Sequence, residues 1–226
     1  MFSALIRRLL FVSLAAVLGA AGLFWATLPD ISALETSWPK TTAFMERRKA
    51  ELVRSGANAR LDWTPVPLSR IAPDMRRAAV VAEDSLFWNH RGVDWAAMQG
   101  ALRRNWEKGG LKVGGSTITQ QLAKNLYLSP ARTPWRKLRE FAIAKRLERR
   151  LSKKRILELY LNVIEFGPRT YGIEAAARRY MGKSARDLSR VEAATLAAVI
   201  PSPRIYDPVR HPERVARRAR RILRWM

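Results

Sequence analysis

One stretch in the middle of this chain decides how it folds: Gly114-Gly115-Ser116-Thr117-Ile118-Thr119-Gln120-Gln121-Leu122-Ala123-Lys124-Asn125. Ile118, Leu122 and Leu126 recur every four residues, which predicts a helix with a buried apolar stripe. The Ser/Thr run predicts a cap at its start, and the two glycines let the backbone approach a ligand closely. Free N–H groups at a helix start, with Lys124 further along the same helix, indicate an anion-binding site.

Helical periodicity extends through most of the chain on both sides of this stretch. It predicts helices over residues 42–54, 73–88, 94–108, 118–128, 134–151, 153–162, 173–180 and 190–200, and from 212 onward. Thr133-Pro134 supplies a cap followed by a proline at the first helical position, and Ser189 with Glu192 forms a capping box. No segment alternates like a strand between turns. The predicted fold class is therefore all-α or nearly so.

The N-terminal part of the chain predicts a membrane anchor. At 226 residues there is room for one domain plus such an anchor. Residues 9–28 carry no charge, follow Arg7-Arg8 and are long enough to cross a bilayer. We expect a cytoplasmic N-terminus at 1–8, a transmembrane helix at 9–28, a stalk at 29–67 and one folded domain at 68–226. A cleaved signal peptide is the alternative, but its apolar region is usually shorter and ends in small residues, whereas Phe24-Trp25 stands here.

The charge of the chain points to an anionic partner. Forty-two Lys and Arg against nineteen Asp and Glu give a formal net charge of +23, and there is no cysteine to form a disulfide. Nucleic acid is the usual partner of a soluble chain with this charge, whereas a tethered exported domain meets anionic lipid headgroups and lipid-linked phosphates. Charge alone does not distinguish them. We assign to headgroups the basic run formed by Lys145, Arg146, Arg149, Arg150, Lys153, Lys154 and Arg155.

Two acidic positions on either side of the opening stretch are candidates for chemistry. Glu83 and Asp84 end a predicted helix and precede Phe87 and Trp88, whose apolar surroundings would raise the pKa of a carboxylate towards that of a useful base. A solvated surface pair is the alternative. His90 has no second ligand at metal spacing, so we expect it to hydrogen-bond near the turn at Gly92 rather than bind zinc.

The second acidic position is Glu140, which forms an i, i+4 pair with Arg136 on one predicted helix, next to Lys137. A charged solvent face is the alternative. Two carboxylates, a glycine-rich helix start and several cations on a membrane-tethered domain suit glycosyl transfer from a lipid pyrophosphate. Pyrophosphate is already a good leaving group, so cations that stabilise its charge are needed more than an acid, while the attacking hydroxyl needs a base. An ordinary glycosidase would need the acid.

These residues resemble the monofunctional biosynthetic peptidoglycan glycosyltransferases, relatives of the glycosyltransferase half of class A penicillin-binding proteins. The resemblance runs from about Leu68 to Pro212. Its motifs are the run from Glu83 to Gly92, the Gly114–Asn125 stretch, Arg136-Lys137 through Glu140, and Arg155 through Asn162 to Gly167. It implies a lysozyme-like α-helical fold and an enzyme that polymerises lipid II into β-1,4-linked glycan, with inversion and release of undecaprenyl pyrophosphate.

The resemblance also implies roles for individual residues. Glu83 matches the base that deprotonates the acceptor 4-hydroxyl, and Glu140 matches a second essential glutamate near the donor pyrophosphate. Contacts to the diphosphate or the adjacent sugar are implied for Ser116, Gln121, Lys124, Asn125, Arg136 and Lys137. No cofactor is certain: a divalent cation, Mg²⁺ or Mn²⁺, is left open, and the sequence shows no dedicated metal cage.

The resemblance implies a location and partners as well. It places the chain in a bacterial inner membrane as a single-pass protein, with its catalytic domain on the outer or periplasmic side. The implied partners are lipid II, the growing glycan strand, anionic lipids and cell-wall synthesis proteins, with no nucleic acid.

We also expect the segment Lys108–Gly115, with four glycines from Gly109 to Gly115, to be a mobile flap over the donor site, or else a plain flexible linker.

Alternatives from other functional classes remain open. A lytic transglycosylase or lysozyme-like hydrolase would explain Glu83 but not the anchor or the cluster of cations. A membrane-tethered nucleic-acid-binding or scaffold protein would account for the charge alone. Some relatives are bifunctional, and Ser37-Trp38-Pro39-Lys40 fits the S-x-x-K motif of a transpeptidase. Its proline, its place in the predicted stalk and the lack of a following K-T-G indicate a chance match, so we expect a monofunctional chain.

Overall fold

The computed structural model of the protein describes residues 2–107, 109, 115–131 and 133–226. The helices are α1 (Phe2–Ala26), α2 (Ala43–Arg54), α3 (Pro73–Glu83), α4 (Trp95–Glu107), α5 (Ile118–Tyr127), α6 (Pro134–Arg150), α7 (Lys153–Val163), α8 (Ile173–Met181), α9 (Arg190–Val199) and α10 (Pro212–Leu223). The chain divides into two compact units, one ending at Asp30 and one spanning Ile31–Met226. The predicted mainly α-helical fold is confirmed.

A small sheet accompanies the helices. Strands β1 (Asp62–Trp63), β2 (Glu165–Gly167) and β3 (Thr170–Tyr171) lie in the order β1-β3-β2. The first strand pairs with β3 in parallel, and β2 pairs with β3 in antiparallel orientation. Strands of two or three residues are too short to produce an alternating pattern, which is why the sequence did not predict them.

The N-terminal unit contains one candidate membrane span. Within α1, the stretch Ile6–Ala26 is long and apolar enough to cross a bilayer, judged by length and composition. This stretch lies slightly earlier in the chain than the predicted span 9–28, because the helix ends at Ala26 and the chain turns at Thr27.

Most helix ends lie within two residues of their predicted positions, because the signals that set them are local. Thr117, Thr133 and Ser189 each accept a hydrogen bond from a backbone N–H in the first turn of the helix that follows. One end differs more. Helix α3 stops at Glu83 and not near Trp88, since Asp84 is extended, with φ of −163°, and its side chain is used elsewhere in the fold.

The core of the larger unit is built around two helices. Helix α9 packs against α3 and α10, and its buried face consists largely of alanines, which let these helices approach closely. Helix α5 packs against α6 and α7 through Ile118 and Leu122, both fully buried, as the apolar stripe predicted. These contacts bring the ends of α3, α5, α6, α7 and α10 into one region.

The structure differs from the predicted stalk at residues 29–67. From Ile31 onward this segment belongs to the same compact unit as the rest of the domain, and Ile31, Leu34 and Met45 are buried. Helix α2 packs on α5, and β1 pairs with β3. The guanidinium of Arg155 donates to the carbonyls of Leu34 at 2.8 Å and Ser37 at 2.7 Å. The segment carries few apolar residues at a regular period, so its burial depends on long-range contacts.

The predicted flap, Lys108–Gly115, lies outside the described residues except for Gly109 and Gly115.

Candidate active site

The end of α3 is fixed to the start of α5 by one carboxylate. Asp84 is buried, and its Oδ2 accepts a hydrogen bond of 2.9 Å from the backbone N–H of Ile118, the first residue of α5. A carboxylate at a helix N-terminus is favoured by the helix dipole. Asp84 is therefore the anion at this helix start. Of the predicted pair, Asp84 therefore has a structural role, and Glu83 remains as the candidate for chemistry.

The turn after α3 strengthens this connection. The backbone N–H of Gly92 donates to Nδ1 of His90 at 3.2 Å, so Nε2 of His90 carries the proton and donates to Asp84 at 2.9 Å. The hydroxyl of Thr117, the N-cap of α5, donates to the carbonyl of Gly92 at 2.7 Å. Gly92 has φ of 86°, where a side chain is strained. His90 has the predicted structural role.

Glu83 is the carboxylate left for chemistry, and two donors hold it. Its side chain is 8% exposed. Nε2 of Gln121 donates to Oε2 at 2.9 Å, and Nη2 of Arg218 on α10 donates to Oε1 at 3.2 Å. Burial raises the pKa of Glu83, while Gln121, Arg218 and Lys124 act in the opposite direction. A raised pKa moves this carboxylate towards the range of a general base at neutral pH.

Behind Gln121 lies a buried tyrosine. The hydroxyl of Tyr160 on α7 donates to Oε1 of Gln121 at 3.0 Å. Burial, followed by the charges of Glu83 and Asp84, raises the pKa of Tyr160 well above its usual value. The hydroxyl consequently stays protonated near neutral pH and remains a hydrogen-bond donor.

Glu140 organises a second, cationic cluster. Its side chain is 3% exposed and forms ion pairs with both Arg136 and Lys137. The Nζ of Lys137 also donates to the hydroxyl of Ser116 at 3.0 Å. Thr133 and Pro134 begin α6 one turn earlier, so local capping places all three charged side chains on the first turns of that helix. The predicted Arg136, Lys137, Glu140 and Ser116 thus lie together.

The charges of both carboxylates, Glu83 and Glu140, act on Lys124. Burial lowers its pKa most strongly; the charges of Glu140 and Glu83 raise it, and those of Arg136 and Lys137 lower it. With Lys124, the cluster of Arg136, Lys137 and Glu140 has three cations and one carboxylate, so it carries two positive charges in excess. A partly buried lysine among other cations is costly unless an anionic ligand joins it.

One expectation about α5 differs from the structure. Two of the N–H groups at its start that were predicted to be free are occupied, since Ile118 donates to Asp84 and Gln120 donates to Thr117. The amide of Asn125 donates to the carbonyl of Gln121 on the same helix at 2.8 Å. The side chains of Gln121 and Lys124 reach the charged groups of the site. The cations and not the helix start are therefore what this region offers to an anion.

Two residues of the predicted basic run, both at the start of α7, form contacts within the domain. Lys153 pairs with the buried Glu148 and lies 4.4 Å from the ring centroid of Phe87. Arg155 pairs with Glu158, besides its bonds to Leu34 and Ser37. These two cations stabilise the fold. They are therefore not available to lipid headgroups, which differs from the prediction made from the sequence.

A large groove lies on another face of α3. Its volume is about 860 Å³, and it shares no lining residue with the two clusters described above. The floor is apolar, formed in part by Val80, Val81 and Leu157. Arg76, Arg77 and Lys154 stand around it, and within the described residues none of these three cations has an acidic partner. The Nε of Arg76 is buried there without a hydrogen-bond partner among those residues.

Comparison with known proteins agrees with this geometry. The transglycosylase family matches residues 50–226. The chain belongs to the transglycosylase family. A protein of Thiobacillus denitrificans, named biosynthetic peptidoglycan transglycosylase, is 50% identical over 188 residues, 83% of this chain and 81% of that protein. Proteins with the same name from Nitrosospira multiformis and Methylobacillus flagellatus are 49% identical over 82% of this chain (80% of that protein) and 46% identical over 92% (91% of that protein). The predicted family is confirmed.

Sequence reasoning missed two residues that contact the side chains of the candidate site. Tyr160 lies inside the Arg155–Asn162 motif that carried the resemblance, and a tyrosine among buried leucines was a usable signal. Arg218 is one of several arginines on α10, and nothing in the sequence marks it out. It approaches Glu83 across 135 positions of the chain, a separation that only the fold bridges.

Proposed function

We propose that the chain is a peptidoglycan glycosyltransferase that polymerises lipid II into β-1,4-linked glycan with inversion, releasing undecaprenyl pyrophosphate. The observation that carries the proposal is the pair of clusters joined by α5. A buried carboxylate with a raised pKa lies at Gln121, and a cationic cluster lies near Lys124, one turn further along. Family membership and the names of the relatives support the same activity.

Glu83 acts as the base in this proposal. The 4-hydroxyl of the acceptor sugar gives its proton to Glu83 while its oxygen attacks the anomeric carbon of the donor. The raised pKa of Glu83 favours accepting that proton, and Gln121 and Arg218 keep the carboxylate ionised beforehand. Attack on the face opposite the leaving group inverts the anomeric centre.

The cationic cluster receives the leaving group. As the bond from the anomeric carbon to the pyrophosphate oxygen breaks, its electron pair stays on that oxygen, and Lys124, Arg136 and Lys137 stabilise the charge. Glu140 holds Arg136 and Lys137 by two ion pairs, which fixes them before the substrate arrives. Ser116 and Asn125 complete the proposed set of donor contacts. Among the described residues no three His, Cys, Asp or Glu side chains converge, so no residue set is proposed for Mg²⁺ or Mn²⁺.

The activity is tested with purified protein and lipid II. Glu83→Gln is nearly isosteric but cannot accept the proton, so polymer formation is expected to fall by at least 100-fold, within the typical range for losing a general base. Glu213→Gln, on the exposed start of α10, is the matched control and keeps wild-type turnover. Incubation with finished glycan separates the alternatives: release of fragments without polymer formation indicates a lytic enzyme. Wild-type turnover by Glu83→Gln refutes the assigned base.

The proposed location is the bacterial inner membrane. Arg7-Arg8 at the N-terminal end of the apolar stretch of α1 favours a cytoplasmic N-terminus and a catalytic unit on the outer or periplasmic side. The proposed partners are lipid II, the glycan strand and cell-wall synthesis proteins, without nucleic acid. The chain is proposed to lack transpeptidase activity, since its S-x-x-K match, Ser37-Trp38-Pro39-Lys40, contains a proline and no K-T-G follows it in this sequence.

Anionic headgroups are the last proposed partner, and the groove beside α3 is the surface that suits them. Its apolar floor and three cations without acidic partners match a phosphate next to hydrocarbon. Basic residues near an anionic surface contribute about 1 kcal/mol each, so losing three should weaken vesicle binding by about 100-fold at low salt. Both variants are made in a chain without residues 1–30, the separate N-terminal unit, because α1 would bind vesicles by itself. The test variant is Arg76→Gln/Arg77→Gln/Lys154→Gln, and an equally charged control is Arg54→Gln/Arg60→Gln/Arg186→Gln. Equal losses in both, measured by sedimentation with phosphatidylglycerol vesicles, would reject the groove.

A further inference from the structure

A line of hydrogen bonds runs from a buried tyrosine to the carboxylate of Glu83. Three helices contribute to it: Tyr160 comes from α7, Gln121 from α5 and Glu83 from the end of α3. The hydroxyl of Tyr160 lies 3.0 Å from Oε1 of Gln121, and Nε2 of Gln121 lies 2.9 Å from Oε2 of Glu83. Tyr160 is fully buried, and among the described residues its hydroxyl bonds to Gln121 and not to Glu83.

The chemistry of the three groups fixes the direction of the bonds. An amide oxygen only accepts, so the hydroxyl of Tyr160 must donate to Oε1 of Gln121. The amide nitrogen of Gln121 then faces Glu83 and donates to it. A flipped amide would turn its oxygen to Glu83 and its nitrogen to Tyr160, whose hydroxyl hydrogen would lose its acceptor in a buried place.

We infer that Tyr160 is a positioning residue, which locks the Gln121 amide in the orientation that serves the ionised form of Glu83. A protonated Glu83 could donate to a flipped amide, whereas an ionised Glu83 needs the nitrogen. By opposing the flip, Tyr160 disfavours the protonated carboxyl without a hydrogen bond to it. The inference rests on the proposed function, because it matters only if Glu83 works as a base.

The other groups that face Glu83 do not replace this lock. Arg218 of α10 donates to the other carboxylate oxygen, and Lys124 of α5 contributes its charge. Neither of these side chains can reverse the dipole that it presents to Glu83, whereas the amide can present either of two opposite dipoles. Asp84, next in the chain, is occupied by His90 and the backbone of Ile118. The orientation of Gln121 is thus the variable element among these groups.

The test is the pH dependence of lipid II polymerisation by Tyr160→Phe, which keeps the ring and removes the donor. Hydrogen bonds to a carboxylate favour its ionised form, so the acid limb of kcat should move up by about one pH unit, with a smaller change in KM. Tyr180→Phe is the matched control. It also removes a tyrosine hydroxyl, bonded to the carbonyl of Phe166 at 3.2 Å, and should lower stability without moving the limb.

A second variant separates positioning from packing. In a Gln121→Ala background there is no amide left to orient, so adding Tyr160→Phe should cause no further shift of the acid limb. An unchanged limb in Tyr160→Phe, or an equal shift with and without Gln121, overturns the inference. The failure of the proposed function is distinguishable, since it appears as turnover in Glu83→Gln whatever Tyr160→Phe does.

Discussion

Replacing Arg218 by Met should move the acid limb of the activity profile to higher pH. The guanidinium Nη2 lies 3.2 Å from Oε1 of Glu83, and the arginine side chain is 21% exposed. Met keeps much of the apolar stem but removes the charge. The ionised form of Glu83 loses a partner, while the protonated form loses little. The pKa of Glu83, already raised by burial, should therefore rise further.

The size of the effect follows from the geometry. Two unit charges about 4 Å apart interact by about 4 kcal/mol at an effective dielectric constant of about 20. Solvent at the partly exposed guanidinium screens part of this, which leaves about 1–2 kcal/mol for the carboxylate. Since one pKa unit corresponds to about 1.4 kcal/mol, the acid limb should move up by about one unit. At a pH below the limb, this means about tenfold less activity.

The assay is continuous polymerisation of lipid II in detergent between pH 5 and 9. Arg217→Met removes the same charge from an exposed neighbouring position of α10 and should leave the limb in place. Two results would refute the reasoning. One is an unmoved limb in Arg218→Met, which would show that the contact does not influence the base. The other is an equal shift in Arg217→Met, which would make the effect one of net charge.

Three other outcomes follow from the same structure. Lys124→Met should lower donor turnover tenfold or more, because a charge-assisted contact to phosphate contributes about 1.5–3 kcal/mol, yet the melting temperature should not fall, because burial among cations opposes this charge. Arg155→Met should lower the free energy of unfolding in denaturant by about 2–4 kcal/mol and speed hydrogen exchange at residues 34–38, because two hydrogen bonds to carbonyls are lost. Unchanged exchange at these residues would instead support the predicted stalk. Because the folded-state pKa of Glu83 is raised, its ionisation lowers the free energy of unfolding as pH rises from about 4.5 through that pKa. Glu83→Gln should therefore have a higher melting temperature than wild type at pH 7 and a similar one at pH 4. A difference that is the same at both pH values would contradict this.

The amino-acid sequence by itself determined the features that depend on neighbouring residues. Helix positions follow from apolar periodicity and from caps such as Thr117, Thr133 and Ser189, each of which acts on a backbone N–H three positions away. The cationic cluster was predicted for the same reason. Arg136, Lys137 and Glu140 are three or four residues apart on one helix, so helical geometry alone brings them together. The candidate base, Glu83, was also identified before the structure.

Only the tertiary structure decided what surrounds that base. Tyr160 and Gln121 are 39 positions apart, Asp84 and Ile118 are 34 apart, and Glu83 and Arg218 are 135 apart. No local pattern encodes such pairs, because each depends on how whole helices pack. Packing likewise drew residues 31–67 into the domain and turned Lys153 and Arg155 inward. The chemical groups are thus determined locally, whereas their ionisation and orientation depend on burial and on partners that lie far away along the chain.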